Sequence, residues 1–171
     1  MQYEPMVHWP LAGDTPAAIR AMFSTLAHEY VALRCVWVDA TRRAAAAWLS
    51  PDLLGQLTAI DQQVETAIAP HTTDHGKAYA RFWDWVSASM PDAPMWFLDV
   101  VAVSPHAQSS GIGTLLIRHG LALAGMDGLP AMLETATPAN VDYYRRFGFD
   151  VWLQVRAADA GPTVWFMVKH P

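Results

Sequence analysis

The hydrophobic residues of this chain fall into runs of helical period separated by runs of strand-like character. From Thr15 onward, Ile19, Met22, Phe23, Leu26, Tyr30 and Leu33 recur on one helical face, and Asp14-Thr15-Pro16 ahead of them supplies a capping side chain and a first-turn proline. Cys35 to Asp39 and Ala44 to Leu49 read as two short strands across the polar turn Ala40-Thr41-Arg42-Arg43, although alanine is a poor strand former. Pro51 opens a second helical region, with Leu53, Leu54, Leu57, Ile60, Val64 and Ile68 in one stripe that ends near Ala69-Pro70. After the polar loop His71 to Gly76, a third helix over Lys77 to Ser89 carries Tyr79, Phe82, Trp83 and Val86 inward until Pro91 and Pro94 stop it.

The second half alternates more regularly. Trp96 to Val103 reads as the main strand, followed by a glycine-rich turn and a helix with Ile112, Leu115, Leu116 and Leu123 on one face, ending at Gly125. Pro130 to Ala136 is a short strand. Pro138 to Phe147 is a helix closed by Gly148 as a left-handed cap, with Phe149 packing behind it. A hairpin ends the chain, with strands from Phe149 to Ala157 and Thr163 to Lys169 about the turn Asp159-Ala160-Gly161-Pro162. The pattern predicts an α/β protein, and with no repeat, low-complexity tract or linker the expectation is one domain over residues 1–171.

Composition narrows the partners. A content of 53% hydrophobic residues with 8 Trp fills a sizeable core. The formal net charge is -5, and Lys and Arg do not cluster beyond Arg42-Arg43 and Arg145-Arg146, so no electrostatic footprint for nucleic acid is present. Cys35 is the single cysteine, and neither a leader-like start nor a long uncharged run occurs, so the expectation is a cytoplasmic protein without a membrane partner. His71, His75, His106 and His119 read as surface or loop residues, and no metal-ligand spacing is present.

The candidate chemistry lies in Val101 to Leu116. Gly111 and Gly113 let the backbone turn N–H groups toward a ligand, and the helix that opens there adds its free first-turn donors and positive dipole end. That is an anion site, best suited to a pyrophosphate. Thr114 stands where a nucleoside triphosphatase loop carries lysine, and the third glycine of a dinucleotide fingerprint is absent, so both of those readings fall away.

What remains, Gln-x-x-Gly-x-Gly after a hydrophobic strand, resembles the coenzyme A loop of the GNAT superfamily of N-acetyltransferases. Trp96-Phe97-Leu98, Val101-Ala102-Val103-Ser104-Pro105, Gln108 to Gly113, Leu133-Glu134-Thr135 and Asn140-Val141-Asp142-Tyr143-Tyr144-Arg145-Arg146-Phe147-Gly148-Phe149 stand in the order and spacing of that family. Val36-Trp37-Val38-Asp39, Ala69-Pro70-His71 and the C-terminal hairpin extend the likeness to the puromycin N-acetyltransferase branch. The resemblance implies a GNAT-like mixed central sheet flanked by helices, splayed near Val101 and Pro130 to Ala136 to admit acetyl-CoA. It implies that Val101 and Val103 offer backbone groups to the pantetheine arm, and that Gln108, Ser109, Ser110, Gly111, Ile112, Gly113 and Thr114 hold the pyrophosphate. Ser109 and Ser110 replace a glycine and a basic residue common in relatives, which weakens the site by about 1 kcal/mol if one charge-assisted bond becomes neutral.

By the same resemblance Tyr144 is the catalytic tyrosine. A tyrosine near pKa 10 is a weak acid toward a thiol near 8.5, so its safer role is hydrogen-bond donor to the departing sulfur. Tyr143 points about 100 degrees round the helix, toward Phe147, and is counted with Asn140 among the coenzyme-binding residues; Asn140 either caps its helix or bonds the coenzyme. Glu134, in an otherwise apolar strand, is either the general base or a structural carboxylate, with a water chain as the other candidate base. Asp99 lies on the same side as Val101 if no bulge intervenes. The expected acceptor is a small-molecule amine, aromatic or amphipathic, received by the helices between Pro51 and Ser89 and by tryptophans such as Trp37, Trp48 and Trp83. The family's usual first strand and most of a helix have no counterpart, which leaves an edge at Val36-Trp37-Val38; the expectation is a homodimer, or another segment over that edge. A non-catalytic acyl-CoA-binding protein and a scaffold that uses the fold for assembly are the alternatives.

Overall fold

The computed structural model describes residues 4–11, 13, 15–158 and 160–171. Its elements run α1 (Pro5–His8), α2 (Thr15–Ala32), β1 (Val36–Val38), β2 (Ala44–Leu49), α3 (Leu57–Ile68), α4 (Lys77–Ala88), β3 (Trp96–Val103), α5 (Ile112–Asp127), β4 (Ala131–Thr135), α6 (Pro138–Arg145), β5 (Asp150–Arg156) and β6 (Thr163–Lys169). The strands form one sheet in the order β1-β2-β3-β4-β6-β5. Only β3 and β4 are parallel; the other neighbours are antiparallel, so the sheet is mixed as expected.

Each face of the sheet has its own core. On one, α5 covers Trp48, Leu98, Leu133 and Met167; on the other, Leu49, Phe97, Met132 and Phe166 meet Phe82 and Val86 of α4. A third cluster, with Ile19, Met22, Val64, Ile68 and Tyr79, ties α2, α3 and α4 together. The alanines of β2 pair on both sides, and Ala46 and Ala47 are buried between β1 and β3. Tertiary packing here overrides a weak strand propensity.

The closest helix–sheet approach is at Gly120, where an added Cβ would sit 2.1 Å from Trp48 Cε2. The Trp48 indole N–H donates to the Leu116 carbonyl at 3.3 Å, so the ring lies flat along the backbone of α5.

Several sequence expectations shift. The short α1 has no counterpart in them, and Asp14 and Asp159, expected in a cap and a turn, lie outside the described residues. The stretch from Pro51 begins as a turn and a 3-10 segment, Leu54–Gln56, before α3 starts at Leu57. Helix α5 passes through Gly125 and ends at Asp127, because Gly128 takes the left-handed conformation, with φ 67, that a C-terminal cap requires. Leu115 is exposed rather than inward, since Gly113, Leu116, Ile117, Gly120 and Ala124 form the buried stripe.

Candidate active site

Two irregularities in β3 set up the site. The first is a bulge: Ala47 pairs with Val100 but Trp48 pairs with Leu98, so Asp99 is an extra residue with no partner on β2. The condition attached to Asp99 is therefore not met. Val101 packs with the α5 side of the sheet, whereas Asp99 and Val100 turn with Phe97 toward α2, α3 and α4. The second is a parting of strands. Trp96 and Phe97 pair with Ala131 and Met132, and no further β3–β4 pairs follow. From Leu98 on, the edge of β3 that faces β4 has no strand beside it, the splay expected near Val101.

At the far end of that edge stands the loop. Gly111 takes φ 86 and caps α5, Ser109 takes φ 63, and the first backbone bond of the helix runs from Leu115 N–H to the Gly111 carbonyl at 3.1 Å. The N–H groups of Ile112, Gly113 and Thr114 thus have no acceptor within the helix. A Cβ on Gly111 would meet nothing within 4 Å, whereas one on Gly113 would meet Val103 Cγ2 at 3.0 Å. The first glycine faces open space and the second lets the helix sit on the strand. Ser110 Oγ donates to the Ala107 carbonyl at 2.5 Å, so its hydroxyl braces the loop rather than facing out of it. Gln108, Ser109 and Ser110 are exposed. The free N–H groups, the open space at Gly111 and the bare edge at Val101 and Val103 fit a phosphate-bearing, amide-containing chain such as coenzyme A.

Helix α6 lies beside this loop. The Tyr143 hydroxyl is 3.4 Å from Thr114 Oγ1, its ring meets Phe147 at 5.2 Å, and the Arg146 guanidinium lies over it at 4.7 Å. Tyr143 thus reaches the loop. Tyr144 is buried against Phe149 with ring centroids 6.1 Å apart. Burial, then the nearby Glu4, Tyr143 and Glu134, push its hydroxyl well above the usual tyrosine range. It stays protonated and so keeps a hydrogen to donate.

Asn140 does not cap its helix. Its amide donates to Glu4 Oε1 and to Thr135 Oγ1, while Thr137 is the N-cap of α6. Glu4 also accepts from Thr135 Oγ1 at 2.6 Å, Thr137 Oγ1 at 2.9 Å and the Ala136 N–H at 3.2 Å. An N-terminal carboxylate therefore docks on the end of β4 and fixes α1, whose Met6 is buried in the core. No local signal marks Glu4 for this role; its partners are more than 130 residues away.

On the opposite side of the parted strands, Asp99 lines a cavity with Asp61 of α3. The Tyr30 hydroxyl donates to Asp99 Oδ2, and the Tyr79 hydroxyl donates to Asp61 Oδ1 at 3.2 Å. Burial pushes Asp99 up, Tyr30 acting against it; burial and then the charge of Asp99 push Asp61 up to about 7, Tyr79 acting against them. Glu134 follows Met132 by two positions on β4, so it faces the same side. Burial, then Asp99, raise its carboxyl well above the carboxylate range, and its Oε2 is buried with no hydrogen-bond partner. Tyr30 and Tyr79 were read from sequence only as helix positions, and Asp61 was not singled out. A lone acid within a hydrophobic stripe, such as Asp61 beside Ile60, was the available sign.

The structure is thus a mixed sheet that parts beside a bulge, with free helix-start N–H groups on one side and acids lining a cavity on the other. The chain belongs to the acetyltransferase (GNAT) family, whose pattern matches residues 48–149. It is 29% identical over 84 residues to peptidyl-lysine N-acetyltransferase YjaB of Salmonella typhimurium, covering 45% of this chain and 57% of that relative, so it spans little more than half of that protein's length. Among solved structures it is similar to a histone acetyltransferase HPA2 and related acetyltransferase from Corynebacterium glutamicum, 28% identical, with TM-score 0.61 over 91% of this chain and 75% of that one.

Proposed function

We propose that the protein transfers an acetyl group from acetyl-CoA directly to the amine of a small molecule. One observation carries this reading: β3 parts from β4 after Phe97, beside the bulge of Asp99, so that a single strand carries the donor loop Gln108 to Thr114 at its end and the acid-lined cavity against Asp99. In this reading the edge at Val101 and Val103 holds the pantetheine arm, and Gly111, Ile112, Gly113 and Thr114 hold the pyrophosphate, with Tyr143 alongside. When bound, acetyl-CoA supplies the acetyl thioester and the thiolate that leaves. Tyr144 holds its proton at the phenol and donates a hydrogen bond toward that sulfur. Glu134 is the acceptor of the amine's proton, its raised affinity for a proton being suited to the task; an approaching ammonium favours its ionised form. Asn140 acts through Glu4, by keeping α1 in place.

The ordered motifs around Tyr144 and Glu134 support a place beside the puromycin N-acetyltransferase branch, and thus an amine on an aromatic or amphipathic body. Similarity to a peptidyl-lysine acetyltransferase favours a second reading, in which the amine is a lysine side chain. A homodimer across β1, the edge strand of the sheet, and a cytoplasmic location belong to the same proposal.

Calorimetric titration with acetyl-CoA, followed by thiol release over a panel of amines and lysine peptides, tests it. Micromolar binding with amine-dependent thiol release is the expected result. Binding without release from any amine would make the protein an acyl-CoA receptor instead, and absence of binding would leave only the scaffold.

A further inference from the structure

The cavity beside Asp99 is small and chemically lopsided. Its volume is about 90 Å³, and Phe97, Trp83, Val86 and Leu26 are among its mostly apolar walls. Two carboxylates, Asp61 and Asp99, stand in those walls, and no Lys, Arg or His lines it among the described residues. Each carboxylate has one phenol as donor. A carboxylate offers about four acceptor positions, so each keeps capacity beyond its one phenol. Two further buried polar atoms lack partners: the Trp83 indole N–H in the wall, and Glu134 Oε2 at the sheet behind Asp99.

Half-buried acids without a counter-charge are costly, and a cation is the ligand that relieves Asp61 and Asp99 together. An anion is excluded by the same charges, and a neutral ligand leaves them as they are. A metal ion is disfavoured: hard divalent cations take about six oxygen ligands, and no group of three or more His, Cys, Asp and Glu among the described residues is placed to hold one. An organic ammonium fits, with aromatic rings of Trp83, Tyr79 and Tyr30 able to face its positive charge.

Size settles the shape of its stem. An apolar cavity that takes benzene measures about 150 Å³; this one is smaller and admits a narrow chain rather than a ring. The cavity leads outward. Leu57, Ser87 and Met90 line both it and a wider groove of about 430 Å³, where Pro51, Pro91 and Pro94 form a stiff rim. A bulky body can stay in the groove while only the stem passes Ser87.

We propose that this cavity is the receptor for a primary ammonium on a narrow apolar stem, gripped by Asp61 and Asp99, with the remainder of the ligand lying in the outer groove. As the acceptor site it rests on the acetyltransferase reading; as a binding site it does not. Two sources share this chemistry, a free alkylamine and a lysine side chain.

The probes are n-pentylamine, its neutral counterpart 1-pentanol, the branched cyclohexylmethylamine and Nα-acetyl-lysine methylamide, titrated calorimetrically into the whole protein without coenzyme. Pentylamine should bind at least about tenfold more tightly than pentanol and cyclohexylmethylamine, and Asp61→Asn and Asp99→Asn should each remove at least about tenfold of its affinity. Ser87→Trp, on the exposed face of α4, should block entry without touching either acid. Lysine methylamide binding with the same dependence on the acids assigns the lysine source; binding of the free amines alone assigns the small-molecule source. Equal binding of amine and alcohol, no amine binding, or undiminished amine binding by Asn variants that unfold cooperatively would overturn the proposal. Thiol release separates the two readings. Turnover whose amine KM is unchanged in Asp61→Asn and Asp99→Asn sinks the receptor and leaves the transferase, whereas acid-dependent amine binding with no thiol release sinks the transferase and leaves the receptor.

Discussion

Replacement of Asp61 by Asn should make the protein more stable at alkaline pH and leave it nearly unchanged in mild acid. The carboxyl of Asp61 moves from 3.8 to about 7 on folding, through burial and the neighbouring charge of Asp99. The gap is about three units, and at about 1.36 kcal/mol per unit its ceiling is about 4 kcal/mol. Asp61 keeps partial contact with solvent, so about 2 kcal/mol is the realistic share. Because the folded state binds this proton more tightly than the unfolded state, the contribution is fully present below the unfolded value near 3.8 and is lost as pH rises through about 7. Asparagine cannot ionise, yet it keeps an oxygen to accept from Tyr79. Urea unfolding at intervals between about pH 4.5 and about pH 8.5 should therefore give two curves that meet in acid and separate by about 2 kcal/mol above pH 7, the variant being the more stable. Parallel curves across that range, or a variant less stable than the wild type at about pH 8, would refute the assignment of a strained carboxylate at this position.

Three further outcomes are expected. Tyr144→Phe should lower kcat by about 10- to 100-fold while coenzyme affinity by calorimetry stays the same, since one donor to the leaving sulfur is lost and no packing atom is. Gly120→Ala should cost about 3 kcal/mol or prevent folding, because its methyl would lie on the Trp48 ring, and the loss would show as a lower Tm and a changed indole fluorescence. Glu4→Ala should leave Thr135, Thr137 and Asn140 without their shared acceptor, lower stability by about 1–3 kcal/mol and speed hydrogen exchange in α1 and the first turn of α6.

How far the chain could be read in advance depended on how local each signal is. The loop was legible because Gly111 and Gly113 have a backbone job that only glycine does well, at fixed spacing from a strand and a helix start. The helix that carries Tyr144 was legible for a similar reason, through its closure at Gly148 with Phe149 behind it. Asp99 shows the opposite. Alternation along β3 placed it beside Val101, and only the pairing of Ala47 with Val100 and of Trp48 with Leu98 reveals the extra residue that turns it to the other face. A bulge is a property of two strands, and one strand's sequence does not announce it. Asp61, Tyr30, Tyr79 and Glu4 are harder still, since three helices and the N-terminal segment must pack before any of them meets its partner.

That difference bears on what the acids are for. Asp61, Asp99 and Glu134 sit on three separate elements, and stability alone would replace each with an apolar or neutral side chain, since their charges repel one another and burial opposes their ionisation. The phenols of Tyr30 and Tyr79 soften that cost without neutralising any charge. Local rules of a well-packed core are broken here, at one place, beside the point where β3 and β4 part, while the α5 face of the same sheet is filled by Trp48, Ile117, Leu133 and Phe149. A violation confined to the chemically open side of the sheet is what a binding function leaves behind. A cation supplied from outside would turn the repulsion into attraction, so the ligand-bound protein should gain stability with pH over the range in which the free protein loses it.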